Sequence, residues 1–397
     1  MEANFDIADI RREFPITERL LYFDSAHQAP LSISVKAALE KFYVEGLQAA
    51  GPKSRWLTRV EEVRARLARL IGADPSEIAF TKNTSEGLNI AANALPLTAG
   101  DNVLLVEGDH PNNAYAFLNL RAKGIDVRFV PIGRETVDAT SFAPFIDART
   151  RAISLSHVTF HAGHVFDIAD IGRLCANRGI HLIVDAMQSI GVMPVDVAAL
   201  PPSMLAFGCH KGLLVPQGLG VLYASKSLPQ LRPAYLALAS LAHPPSDFIA
   251  RASNMELKEG AQRFEIGNYN LPDIHALGAA LDLIERAGIA NIARHVLDLS
   301  DRLLAHLNEL GIGVVGPRSR RHRSHILVLD LPVEAWLKYL EAEKVRVSPE
   351  RGGVRVSFAM FNKPSEVDQL ARIITKGMAA GIGCTQKKST PEPQMQR

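Results

Sequence analysis

The chain has 397 residues, more than the roughly 250–300 over which one hydrophobic core usually extends, so a large and a smaller domain are expected. Its 47% hydrophobic and 22% charged content excludes a disordered chain. With 44 basic and 42 acidic residues the formal charge is +2, which excludes nucleic-acid backbones or anionic membranes as the main partner and favours small-molecule chemistry.

Residues 1–20 mix acids and bases with isolated apolar residues, unlike a signal peptide, and no apolar run approaches the roughly 20 residues of a membrane helix. The three cysteines, Cys175, Cys209 and Cys384, show no CxxC spacing, which argues against a zinc site or a disulfide framework. A soluble cytoplasmic protein without a metal is the expectation. From about residue 60 to 225, the runs EIAFTK, NVLLVEG, DVRFVPI, RAISLSHV, IHLIVDA, MLAFGCH and LGVLYAS alternate with helical stretches. That alternation predicts an α/β fold whose sheet is largely parallel, with a ligand at the carboxyl ends of the strands. After an irregular stretch at 226–262 come long helical patterns, the strand HILVLDL, a helix at VEAWLKYLEAEK, paired strands VRVS and GVRVSF, and a helix from Pro364. These predict a smaller α+β domain. The expected division is 1–20 as a segment packing with the small domain, 21–270 as the large domain, 271–380 as the small domain and 381–397 as a disordered tail. The basic run RSRRHR at 318–323 reads as a solvated loop, given the near-neutral total charge.

Asp185 ends the run IHLIVDA, and Lys211 follows the apolar run MLAFGCH, where lysines are rare. Each alone also reads as a turn, cap or surface residue. Together they supply an acid that keeps a pyridine nitrogen protonated and an amine that forms a Schiff base. The segment IAFTKNTSEGLNIAANAL passes from strand to helix at Asn83, Thr84 and Ser85, offering backbone amides to a phosphate, or else simply a capping sequence with Thr84 or Ser85 as N-cap. His110, in GDHPNN after the run NVLLVEG, is placed to stack on a ring and move protons. No GxGxxG follows the first strand, which argues against a nicotinamide dehydrogenase.

With these residues the chain resembles the class V aminotransferase-fold enzymes, the group of cysteine desulfurases, selenocysteine lyases and isopenicillin N epimerase-like proteins. The resemblance runs from YFDSA near residue 22 to about residue 370. It implies pyridoxal-phosphate fold type I, with a mostly parallel seven-stranded sheet and a smaller C-terminal α+β domain, and pyridoxal 5′-phosphate held as a Schiff base on Lys211. It also implies that Thr84, Ser85 and His210 hold the phosphate, His110 stacks on the ring, and Asp185 and Gln188 contact the ring's nitrogen and phenolic oxygen. Asn268, in RFEIGNYN, would reach the partner's cofactor phosphate in a homodimer, and Arg355 would bind the substrate carboxylate. His27 and Gln28, in FDSAHQAP, would border the substrate side chain, or else belong to a turn before the next helix.

Three departures accompany the resemblance: Gly208 stands where the family has a serine, Asn268 replaces a commoner threonine, and an asparagine beside the ring is lost around Thr159 and Phe160. The largest departure is the short link PERG at 349–352, where desulfurases carry a loop with the attacking cysteine. Persulfide chemistry on such a thiolate is therefore not expected. The first expectation is a β-eliminating C–S lyase acting on an amino acid, with Lys211 as the base. Epimerisation with His110 as a candidate acid, transamination, and a non-catalytic cofactor carrier or regulator are the alternatives.

Overall fold

The β-rich runs form β1 (Ile78–Thr81), β2 (Asn102–Val106), β3 (Asp126–Val130), β4 (Thr150–Ser156), β5 (His181–Asp185), β6 (Met204–Gly208) and β7 (Gly220–Ala224). They pair into one seven-stranded sheet in the order β1-β7-β6-β5-β4-β2-β3. β7 runs antiparallel to both its neighbours, and the other pairings are parallel. The chain is described from a computed structural model covering residues 5–133, 138–198, 202–253 and 255–383. Residues 384–397 of the expected tail, including Cys384, lie outside the described residues.

Successive strand side chains point to opposite faces, and here the two sets enter two separate apolar cores. Leu104, Val106, Val184 and Phe207 belong to one, while Val103, Leu105, Ile183 and Ala206 belong to the other. Both faces are covered, so β2 and β6 are buried at every residue and are apolar apart from Asn102 at the start of β2. Burial of each large apolar side chain contributes about 1.5–3 kcal/mol, so a one-residue slip that exchanged the two faces is strongly disfavoured.

The remaining strands, β8 (Val314–Val315), β9 (Ile326–Leu329), β10 (Ser348–Glu350) and β11 (Gly353–Ser357), form an antiparallel sheet in the order β10-β11-β9-β8. The expected strand VRVS is divided. Val345–Arg346 pairs in parallel with Leu21–Tyr22, and only Ser348–Glu350 pairs with β11. Asp24 bridges to Ser357, and Arg11 donates to the Phe361 carbonyl and pairs with Glu366, so the N-terminal segment lies on the small sheet and its last helix. The helix Leu271–Ala287, expected in the small domain, packs instead on the helices Ile33–Ala49 and Lys53–Leu70. Phe42 stacks on Trp56 at 4.2 Å and meets the His275 ring edge-on at 5.0 Å.

The basic run at 318–323 is exposed at 318–321, as expected of a solvated loop, and only Arg323 within it is buried. Arg320 pairs with Asp298 and Asp301, Arg321 with Asp167, and buried Arg323 with Asp301 and the Ser300 hydroxyl. Acids distant in sequence neutralise it, which charge counting along the chain does not reveal.

Candidate active site

The carboxyl ends of β1, β2, β4, β5 and β6 meet around two adjoining cavities of about 450 and 570 Å³ that share His110, Phe160, Gln188 and Lys211 as walls. Thr84, Ser85, Asp185 and His210 line the inner cavity, while His27, Glu350 and Arg355 line the outer one. Nine of the expected site residues thus gather at one place. Gln28 is turned aside: its amide oxygen accepts from Gln217 and its amide nitrogen donates to the Ala29 carbonyl. Asn268 lies exposed in a neighbouring depression with Gly218, Gly267 and Tyr269.

At the end of β1 the cap is Asn83, not Thr84 or Ser85. Its side chain accepts from the Glu86 amide at 2.9 Å while Glu86 reaches back to the Lys82 amide. Thr84 and Ser85 are therefore the first two helical residues, whose amides have no intrahelical partner and suit an anion. Gly220 on β7 lets this turn sit against the sheet, because a Cβ there would lie 2.6 Å from the Asn83 Cα. Gly220→Ala is expected to cost about 1–3 kcal/mol in urea unfolding and to weaken phosphate retention.

After β2, His110 caps the helix Pro111–Leu118, its Nδ1 accepting from the Asn112 amide at 3.2 Å. Burial and the nearby Lys211 hold its pKa below the usual histidine range, so the ring is neutral. The Phe160 ring meets it edge-on at 5.0 Å. Asp109, which sequence reasoning did not single out, locks this loop to β4 by accepting from the Ser156 amide at 2.8 Å and its hydroxyl at 2.6 Å.

Asp185 is 6% exposed and accepts from the Met187 amide at 2.9 Å. Burial pushes its pKa up to about 7, with Asp109 adding to the rise and Lys211 opposing it. Lys211 is pushed down to about 8, first by burial, with Arg355 lowering it further against the pull of Asp185. An amine so placed is available as a nucleophile and base near neutral pH. His210 is held near 4 by burial and by Lys211, hence neutral.

Gly208 has a partner that sequence did not reveal. The Met187 sulfur accepts from the Gly208 amide and the Thr84 hydroxyl, each at 3.1 Å, and a Cβ on Gly208 would lie 3.0 Å from it. The thioether thus occupies the space beside the glycine.

Several buried polar atoms on these walls have no partner among the described residues: the Gln188 Oε1, the Arg355 Nε and, just behind Lys211, the His325 Nδ1. A buried group left unsatisfied costs about 1–3 kcal/mol, so these atoms suit a polar ligand. Asn268, though outside the cavities, stands on a rigid base. Glu265 pairs with buried Arg64 at 2.7 Å, accepts from the Phe80 amide at 2.8 Å and accepts from the Tyr269 hydroxyl at 2.8 Å.

Residues 21–370 match the family described as aminotransferase class-V. An uncharacterized aminotransferase of Schizosaccharomyces pombe is 32% identical over 382 residues, covering 94% of this chain and 96% of that protein. A probable cysteine desulfurase of Methanothermobacter thermautotrophicus is 33% identical over 309 residues, 76% of each chain. Among solved structures, the cystine C–S lyase C-DES, in complex with its product cysteine persulfide, superposes with a TM-score of 0.82 at 25% identity over 91% of this chain and 98% of that one.

Proposed function

The chain belongs to the class V aminotransferase family, and on that premise we propose that it is a pyridoxal-phosphate-dependent lyase that eliminates a sulfur-type leaving group from Cβ of an amino acid. The carrying observation is the pairing of a largely buried Lys211, pushed down to about 8, with Asp185 on the adjacent strand end.

The residues present fit the cofactor. The Thr84 and Ser85 amides, the Ser85 hydroxyl and His210 line the inner cavity and would suit the phosphate. Asp185 suits a protonated ring nitrogen, Gln188 offers a free polar atom, and Lys211 offers the amine. Bound there, pyridoxal 5′-phosphate supplies a carbonyl for imine exchange and a ring that takes electron density from Cα.

The roles of the chain's own residues follow. Arg355 orients the substrate through its α-carboxylate, a pairing its planar fork can make bidentate. The Lys211 Nζ takes the α-proton, His110 shields one ring face, and His27 borders the substrate side chain. Asn268 is assigned to a homodimer interface, where its exposed position on the Glu265-anchored segment suits contact with the partner's phosphate.

Elimination is favoured over epimerisation because an epimerase needs an acid on the face opposite Lys211, and His110 is held neutral. A persulfide on the enzyme's own thiol is disfavoured. The turn at 349–352 has no cysteine, and both described cysteines are buried, with Cys175 pushed up to about 12 and Cys209 higher still.

Incubation of the holoenzyme with a panel of sulfur-containing amino acids in deuterated water tests the proposal. Keto acid with ammonia and a released thiol or sulfide is expected; deuterated, racemised amino acid without keto acid would overturn it in favour of epimerisation.

A further inference from the structure

Arg355 already faces a carboxylate of its own chain. Glu350 is the last residue of β10, paired with Gly353 of β11, and its Oε2 lies 3.3 Å from the Arg355 Nη1, with side chains only 9% and 7% exposed. The same Nη1 lies 3.3 Å from the Phe160 carbonyl, and Nη2 is 3.9 Å from Asp24. Asp24 is committed elsewhere, accepting from the Ser348 hydroxyl and from Arg346. The Arg355 Nε has no partner among the described residues. A buried guanidinium in a finished ion pair makes two parallel bonds of about 2.7–2.9 Å, whereas this one makes only long contacts and keeps a donor in reserve.

Glu350 lines the outer cavity together with Lys211, His110 and Arg355, so its carboxylate faces the space a substrate enters. The adjacent Arg351 donates to the Gly108 carbonyl and lies 5.6 Å above the Phe160 ring, which carries the turn across to the loop bearing His110. We propose that Glu350 is an internal stand-in for the substrate carboxylate. It neutralises Arg355 in the ligand-free enzyme, and an incoming α-carboxylate displaces it by taking the Nε and Nη positions together.

The inference rests on the reading of Arg355 as the carboxylate clamp. A stand-in competes with ligand, so its removal strengthens binding; a residue that merely orients Arg355 would weaken binding when removed. The proposal predicts that carboxylates bind the native enzyme more weakly than the guanidinium alone would allow.

The test uses the holoenzyme and its Glu350→Gln, Glu350→Ala and Arg355→Gln variants, with propionate as probe in calorimetry and uncharged propionamide as a control lacking a carboxylate. Retention of the bound cofactor's absorbance band reports that each variant is folded. Both Glu350 variants are expected to bind propionate about tenfold more tightly, the equivalent of one charge-assisted contact, with propionamide unaffected. Arg355→Gln is expected to bind propionate at least about tenfold more weakly. If Arg355→Gln weakens propionate but the Glu350 variants bind it no better than the native enzyme, the stand-in is wrong and the clamp survives. If Arg355→Gln leaves propionate affinity unchanged, the clamp reading itself fails.

Discussion

Lys211→Ala is expected to lower turnover by about 10³-fold or more while leaving the fold intact, because it removes the nucleophilic amine and the base at once. Thr84, Ser85, Asp185 and His110, the other residues proposed to hold the cofactor, all stay in place, so the variant is expected to retain cofactor, but without a bond that borohydride can fix. Absorbance after gel filtration and mass measurement after borohydride reduction read the two effects separately. Added methylamine should restore a measurable part of the activity, since a small amine can enter the space left by the side chain. A borohydride-fixed cofactor on the Ala variant, or turnover within tenfold of the native enzyme, would show that another amine does this work.

Asp185→Asn should act in opposite directions on stability and on catalysis. Burial raises the folded-state pKa of Asp185 to about 7, above the value of about 3.9 in an unfolded chain. A raised carboxyl contributes stability that is fully present below the unfolded pKa and is lost as pH rises through the folded one. In cofactor-free protein the native chain therefore loses stability between about pH 4 and pH 7, and the Asn variant does not. At pH 8 the variant should be more stable in urea by about 2–4 kcal/mol, and at pH 4 the two should be equal. On the proposed reading the carboxylate is wanted in the holoenzyme, where its charge would hold a proton on the ring nitrogen. Turnover should fall about 10²–10³-fold, the usual loss of one preorganised electrostatic partner. Equal stability at pH 8 would mean that Asp185 is better solvated than its 6% exposure implies.

The sheet and the inner site were legible for one reason. A doubly covered strand must be apolar throughout, so a polar residue at its carboxyl end stands out, as Asp185 does after HLIV and Lys211 just beyond MLAFG. The cap at Asn83 was misplaced by one residue or two, because asparagine, threonine and serine cap equally well and only the backbone distinguishes them. Asp109 gave a weak signal, since an aspartate next to a histidine in a loop usually marks a turn. The basic run at 318–323 is exposed as expected, but its acid partners were not legible because they come from residues 167, 298 and 301.

By itself, the sequence determined the α/β sheet, the residues at its strand ends and, through the resemblance carried by Lys211, Asp185, Gln188 and His110, the cofactor. These depend on local periodicity and on the rule that ligands bind at strand ends, both of which act over a few residues. Tertiary structure alone decided that Met187 fills the space beside Gly208, that Leu271–Ala287 packs on the helices Ile33–Ala49 and Lys53–Leu70, and that Glu350 meets Arg355 on the wall of the outer cavity. Those contacts depend on volume and charge meeting when separate elements dock. Neither quantity has a period along the chain.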